Sequence, residues 1–456
     1  MFGKKIGDLS KGVFFTAKVL SKVEKTGSSI RNVLYKEYFE RGVEDYKLLK
    51  QALHFALETT RRYNFLDHII KIVLPKVFDE DFPLLIKSLL RIATYQIVFL
   101  KEKPEDIANI LKPLILIKLR KSDKISKEEV FTHLFKVESL IKKEKIIPET
   151  NYVERLTYTT FHPEWICKYF IDLLGLEDAE KLLQNNNLQK PTWLRVNTLL
   201  SNRKNVASFL REEGVFIEFD EDFPDVLRVI EEGKKPVTLS NPYKKGLVFI
   251  QDKASCAAAH ILDAKPEDFV IDLCAAPGMK TTHIAQFMKN MGFVLAIDIN
   301  YYRAKMIKKN MKKSGVKNVE ILCTDGRILK LKPGKKPDKI LVDAPCSGSG
   351  TFQTHPEEKW RLTPSKIEKY ALLQENLLSS AINLVKVGGE IVFSTCSLFL
   401  EEGEELITKI CNKYSVEVVE KEVEGGKVVK NGWRFYPPET KGFFISKMRK
   451  YAEQKS

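Results

Sequence analysis

The chain has 456 residues, 44% hydrophobic and 30% charged, with 75 Lys and Arg against 60 Asp and Glu for a net charge of +15. That length exceeds one ordinary core and points to about three domains of globular composition. The seven cysteines form no C-x-x-C pair, which disfavours zinc ribbons and disulfide frameworks and fits a reducing compartment, while the basic balance fits a protein that meets a polyanion.

No stretch reaches the roughly 18 uncharged apolar residues of a membrane helix. The longest candidates, 86–100 and 111–119, are broken by Arg91 and by Lys112 and Lys118. Lys18 interrupts the apolar part of the N-terminus, and no small-residue cleavage site follows. The expectation is no signal peptide, no anchor and a cytoplasmic location.

Residues 1–145 read as helical. Apolar residues recur at three- and four-residue spacing in "YKLLKQALHFALETTRRYNFLDHIIKIVL" and "FPLLIKSLLRIATYQIVFL", the spacing of a helix face. Pro83 and Pro104 fall between helices. The charged stretch 118–129 is expected to be a loop or a solvated helix end, and 142–151 a linker.

Residues 152–245 read as a small α/β module. "HPEWICKYFIDLLGLEDAEKLLQNNN" predicts two helices hinged at Gly175, and "TWLRVNTL" predicts a strand. Ser201 is the expected N-cap of the next helix and Gly214 its C-terminal stop.

Residues 246–456 alternate strand and helix patterns. "FVIDLCA" precedes a helix over 280–290, "FVLAID" a helix over 301–314, and "VEILCTD" follows. "KILVDAP" leads to a helix over 365–386 and "GEIVFST" to a helix over 401–413, with a hairpin-like end at "FYPP" and "GFFISKM". Such alternation predicts a parallel, doubly wound sheet.

Ligands of these sheets bind at the carboxyl ends of the strands. The residues expected there are "DLCAAPGMKT" (272–281), Asp298, Asp325, Asp343 with Cys346, and Cys396. The first loop is not G-x-G-x-x-G, so it is not built to hold a pyrophosphate. Its small residues Ala275, Ala276 and Gly278 let backbone approach a ligand, and Pro277 stiffens it. Asp298 sits where an acid contacts ribose hydroxyls, and Asp325 is placed to accept from an adenine amino group. An adenosine ligand without phosphates suggests S-adenosylmethionine. Cys167, Cys323 and Cys411 are expected to be small buried hydrophobes and Cys274 to pack beside the loop, with Cys256 unassigned. Cys346 and Cys396 differ, because both end strands at the ligand edge, and a thiolate is a strong nucleophile. No histidine is well placed beside either; His355, the nearest, is expected to shape a loop.

The stretches "FIQDKAS", "DLCAAPGMKT", "DAPCSGSGTFQTHPEEKW", "GGEIVFSTCS" and "GFFISKMRK" closely resemble the Sun (Fmu-type) family of RNA cytosine-5 methyltransferases. "HPEWICKYF" with "LRVNTL" is similar to that family's small RNA-binding region. "LETTRRYNFLD" and "LLRIATYQIVFLKEKPED" are similar to the NusB-like helical domain of its bacterial ribosomal-RNA branch. The resemblance implies a multidomain chain: an all-α NusB-like domain (1–145), a small α/β RNA-binding module (152–245) and a Rossmann-like α/β methyltransferase domain with a mostly parallel sheet (246–456).

It implies transfer of a methyl group from S-adenosylmethionine to carbon 5 of a cytosine in RNA, most of all small-subunit (16S) ribosomal RNA, through a covalent cysteine–base intermediate. Cys396 would be the nucleophile, Cys346 would assist release, and Asp343 would bind the cofactor and the cytosine edge near N3. Cys274, Ala275, Ala276, Pro277, Gly278, Met279, Lys280, Asp298 and Asp325 would hold the cofactor with Asp343. A base that must leave its stack favours single-stranded or loop substrates. The expected partner is ribosomal RNA, with no membrane and no metal, and the chain a monomer. The alternatives are a transfer-RNA cytosine-5 methyltransferase, a non-catalytic RNA-binding assembly factor, and a DNA methyltransferase, which would attack through Cys346. Three places depart from the family pattern: Gln353 and Thr354 stand for arginines, "EEGEE" follows T-C-S where a Glu-Asn pair is common, and Thr440 and Lys441 precede "GFF" where an acid is usual. None of them is expected to touch the chemistry.

Overall fold

Branched and aromatic residues crowd 269–272, 339–343 and 390–395, and each of these segments is a strand, as those side chains favour. The structure is a computed structural model that describes residues 2–40, 45–80, 82–118, 126–142, 147, 151–233, 235–419 and 425–453. Two compact units emerge, one of residues 1–187 with 354–361, the other of residues 188–353 with 362–456.

Among its described residues the first unit is helical. Helices Phe2–Thr26, Ile30–Phe39, Tyr46–Arg61, Tyr63–Val73, Leu84–Phe99, Pro104–Lys118 and Lys127–Lys142 share one apolar core around Phe15, Leu34, Leu90 and Leu134. Pro83 and Pro104 stand at helix starts, where a missing N–H costs nothing because the first turn has no internal acceptor for it. The returning segment 354–361 seats Trp360, whose Nε1 donates to the carbonyl of Thr60 at 2.6 Å. Helices Glu164–Leu174 and Leu176–Asn185 hinge at Gly175, with φ of +80°. Residues 119–125 of the charged stretch, and 143–146 and 148–150 of the expected linker, lie outside the described residues.

The second unit holds two sheets. Strands β1 (Thr192–Val196), β2 (Phe216–Phe219), β3 (Val226–Glu231) and β4 (Val248–Ile250) form an antiparallel sheet in the order β2-β3-β1-β4. Helix Arg203–Glu212 packs Val206 and Leu210 on it. The cap of that helix is Asn202, whose side chain accepts from the Asn205 N–H at 3.0 Å, and not Ser201. Asx side chains cap as well as serine, so composition alone left one residue of slack.

The larger sheet contains β5 (Phe269–Asp272), β6 (Phe293–Asp298), β7 (Val319–Cys323), β8 (Lys339–Asp343), β9 (Glu390–Thr395), β10 (Val416–Val418), β11 (Lys427–Val429), β12 (Gly432–Phe435) and β13 (Phe443–Lys450). Its order is β11-β12-β13-β9-β8-β5-β6-β7, with β10 on β13. Val270, Leu341 and Val392 face helices Lys253–Leu262, Met279–Phe287 and Tyr301–Ser314, while Ile271, Ile340 and Phe393 face helices Pro364–Leu384 and Glu404–Lys413. Burial on both faces is why these strands read as unbroken apolar runs.

The sheet is mixed rather than mostly parallel. β9, β8, β5, β6 and β7 are parallel, whereas β10 to β13 pair antiparallel. Short connections join β11 to β12 and β12 to β13, and these permit only antiparallel neighbours.

Candidate active site

Chain direction puts the crevice at β5 and β8. From β5 the order runs outward to β6 and β7 on one side and to β8 and β9 on the other. The loops leaving β5 and β8 therefore diverge, which is where doubly wound sheets take ligands.

Cys346 and Cys396 meet there, with Sγ atoms 3.0 Å apart. Backbone hydrogen bonds join three distant motifs at this point. The Gly350 N–H donates to the Cys396 carbonyl at 3.0 Å, and the Gly442 N–H donates to the Gly350 carbonyl at 2.8 Å. A Cβ on Gly350 would sit 1.9 Å from the Gly442 carbonyl oxygen, so only glycine permits the approach. Phe444 of β13 lies opposite Thr395 of β9, which brings Lys441 beside Cys396.

The two sulfurs have unlike surroundings. The hydrogen bond from Cys346 brings the Cys396 thiol down to about 7; burial opposes this, and the Lys441 and Lys280 ammoniums reinforce it. The same bond, burial and the negative charges of Cys396 and Glu402 push Cys346 well up. Cys396 is thus the more acidic of the two thiols, and Cys346 the one held protonated more firmly.

Lys280 is buried rather than solvated. Its Nζ donates to Asp343 Oδ2 at 2.7 Å and to Ser255 Oγ at 3.2 Å. Ser394 Oγ donates to Asp343 Oδ1 at 2.8 Å. Burial pulls the Asp343 carboxyl up, but Lys280, Lys441 and these hydrogen bonds outweigh it and hold it below the usual range.

The loop 273–278 turns through Gly278, with φ of +96°. A Cβ there would meet Ile307 Cα at 3.0 Å, so this glycine serves the turn and helix packing. Asp272 braces the loop from below. It is fully buried, accepts from Thr281 Oγ1 at 2.7 Å, and burial lifts it to about 7. Cys274 packs against the core on the second face, and Ala275 and Ala276 are buried. Met279 starts the following helix, and its carbonyl accepts from Arg195 Nη1 at 2.6 Å. Asp298 accepts from the Ala276 and Asn300 N–H groups at 3.2 and 2.9 Å. Asp325 forks with its neighbour Arg327. Carboxylates at three successive strand ends would repel a pyrophosphate and suit hydroxyls, an amino group and a sulfonium, so the donor set fits S-adenosylmethionine.

Two of the family departures lie beside the cysteine pair, where the resemblance led none to be expected. Glu402, in "EEGEE", is buried and accepts from the Ser347 N–H at 2.8 Å and from Ser397 Oγ at 2.6 Å. Lys441 Nζ donates to Ser255 Oγ at 2.8 Å. Neither was among the expected site residues, nor were Ser255 and Ser394; the antiparallel return of β13 brings Lys441 in, and sequence spacing carries no trace of it. Gln353 Nε2 donates to the Pro438 carbonyl at 3.2 Å.

Cys323 is exposed, not buried, because β7 is an edge strand. Cys167 is buried as expected, Cys411 partly so, and Cys256 is buried. His355 lies 3.7 Å from Glu357 within the first unit. Among the described residues one grouping has the spacing of metal ligands, Asp225 with His260 and His283; hydrogen bonds of 2.8 and 2.7 Å already join the carboxylate to both rings.

The strand order and the carboxylate rim define a Rossmann-like α/β methyltransferase domain. Comparisons with known proteins agree. A family model described as 16S rRNA methyltransferase RsmB/F matches residues 259–449, and one for the RsmF/B-like ferredoxin-like domain matches residues 162–235. A probable ribosomal RNA small subunit methyltransferase B of Bacillus subtilis is 32% identical over 329 residues, 70% of this chain and 70% of that protein. A 28S rRNA (cytosine(4447)-C(5))-methyltransferase of Homo sapiens is 32% identical over 63% of this chain, which spans 38% of the human protein. The crystal structure of PH0851 superposes with a TM-score of 0.79 at 28% identity, covering 97% of this chain and 99% of that one. NSun6 from Pyrococcus horikoshii, solved with the S-adenosylmethionine analogue SFG, superposes with a TM-score of 0.58 at 26% identity over 64% of this chain and 99% of that one. The chain belongs to the RsmB/F family of rRNA methyltransferases.

Proposed function

We propose that this protein methylates carbon 5 of a cytosine in small-subunit ribosomal RNA, with Cys396 as nucleophile and Cys346 as the group that releases the product. The observation that carries this reading is the sulfur pair, with cations on the Cys396 side and a buried carboxyl on the Cys346 side.

Carbon 5 of cytosine is a poor nucleophile. Addition of the Cys396 thiolate to carbon 6 forms a C–S bond and moves the ring's electrons toward carbon 5 and N3. When bound, S-adenosylmethionine supplies a methyl carbon made electrophilic by its sulfonium. Residues 274–280 with Asp298, Asp325 and Asp343 hold it in this reading. Asp343 keeps lone pairs beyond those taken by Lys280 and Ser394, and these suit the cytosine amino group beside N3.

Once its sulfur is bonded to carbon 6, Cys396 is neutral. The charge and the hydrogen bond that raise Cys346 then vanish, so Cys346 can lose its proton to solvent and take the proton from carbon 5. The C–H electrons restore the C5–C6 double bond and expel Cys396 as thiolate.

The all-α segment 1–145 reads as a NusB-like RNA-binding domain, 152–245 as the small RNA-binding module and 246–456 as the methyltransferase domain, in a cytoplasmic monomer that needs no metal. The names of the matched relatives support a ribosomal target, and the net charge of +15 suits a phosphate backbone.

The test uses S-adenosylmethionine labelled in its methyl group, unmodified small-subunit ribosomal RNA and nucleoside digestion. Label is expected in 5-methylcytidine and is expected to vanish in Cys396→Ala. Label in transfer RNA alone would move the target, and label in another nucleoside would overturn the reaction.

A further inference from the structure

Two ammonium groups converge beside the sulfur pair, and they are not equivalent. Lys280 and Lys441 both donate to Ser255 Oγ, at 3.2 and 2.8 Å. Both also stand over the ring of Phe443, at 5.3 and 4.5 Å from its centroid. Lys280 has a carboxylate, Asp343, at 2.7 Å. Lys441 has none: among the described residues no carboxylate lies within ion-pairing distance of its Nζ. The nearby Asp252 carboxylate is taken by Lys190 at 2.6 Å and meets only the backbone N–H of Lys441.

Among the described residues, the charged and titratable groups that act most on Cys396 are therefore two ammoniums, one carboxylate and one thiol. Lys280 reaches it from helix Met279–Phe287, Asp343 from the end of β8, Cys346 from the loop after β8, and Lys441 from the turn before β13; Glu402 acts on Cys346. Lys280 and Asp343 neutralise each other. A partly buried cation with no ion-pair partner is unfavourable unless an anion forms beside it; Asp252 and Asp343 act on Lys441 without pairing with it, and the Cys396 sulfur is the largest of the negative groups that raise it.

We propose that Lys441 is a positioning residue for the reaction, the counter-cation that keeps Cys396 as a thiolate before RNA binds. The inference rests on the assignment of Cys396 as nucleophile under the proposed function. Ser255 orients both ammoniums, and Phe443 covers them from one side. The direction of the electrostatics agrees, since Lys441 is the largest charge lowering Cys396 and Cys396 in turn raises Lys441.

The experiment is the pH dependence of Cys396 alkylation by iodoacetamide in the RNA-free protein, read peptide by peptide by mass spectrometry. The wild type is expected to show a midpoint near 7. Lys441→Met is expected to move it up by about one pH unit, and Lys441→Arg to leave it near the wild-type value. Lys441→Gln serves if the Met variant loses cooperative unfolding. An unchanged midpoint in a folded Lys441→Met or Lys441→Gln protein overturns the proposal, as does an ordinary thiol midpoint in the wild type. Alkylation needs no RNA, so a shifted midpoint in a protein that never methylates RNA refutes the proposed function and with it the role in the reaction, while an unchanged midpoint in a protein that does methylate RNA refutes the role of Lys441 alone.

Discussion

Cys396 and Cys346 are the same residue type, 3.0 Å apart, and their surroundings make them chemically different. In the proposed reading, the thiol made more acidic by its neighbour and by two cations attacks, and the thiol held protonated by burial and a nearby carboxyl does not attack first. The pH dependence follows from this. With Cys396 as the proposed nucleophile, its reactive form is the thiolate, so kcat/KM is expected to fall as pH drops below about 7 and to level off above it. A profile flat from pH 6 to 9, or an acid limb near the ordinary thiol value, would contradict the assignment. The serines matter at this scale too: Ser347, Ser349 and Ser397 join hydroxyls at 3.2 Å beneath the pair. The convergence of Cys346, Cys396 and Asp343 was legible in the sequence because each stands at or just beyond the end of a parallel strand. Lys441 and Glu402 stood out only as departures from the family pattern, because a single charged residue carries no periodic signal of the contact it makes.

At the scale of elements, the segment after Cys396 is held by Arg434 of β12. This buried guanidinium donates to Glu404 Oε1 at 2.6 Å and to the carbonyls of Ser397 and Phe399 at 2.9 and 3.2 Å. Replacing it with leucine leaves Glu404 buried and unpaired and frees two carbonyls. We expect Arg434→Leu to lower the unfolding free energy by roughly 3 kcal/mol in urea titrations and to reduce methyl transfer as the 397–399 segment loosens. Unchanged stability and activity would show that the staple is idle. The same elements mark how far sequence reasoning reaches. β6 and helix Tyr301–Ser314 are found at their expected bounds, because an apolar run followed by a helical period has one reading in a crossover fold. The antiparallel pairing of β13 beside β9 is a contact between distant segments, and nothing local in either strand encodes the partner.

At the scale of the whole molecule, the surplus of basic residues suits contact with a phosphate backbone. The central claim is the division of labour between two cysteines, and one measurement addresses it most directly. Cys346→Ala protein is incubated with S-adenosylmethionine and unmodified small-subunit ribosomal RNA, then run on a denaturing gel. A protein band retarded by covalently bound RNA is expected, because attack proceeds and release does not; that band is expected to disappear when Cys396 is also changed to Ala. An adduct that accumulates in Cys396→Ala instead would reverse the two roles and contradict the account.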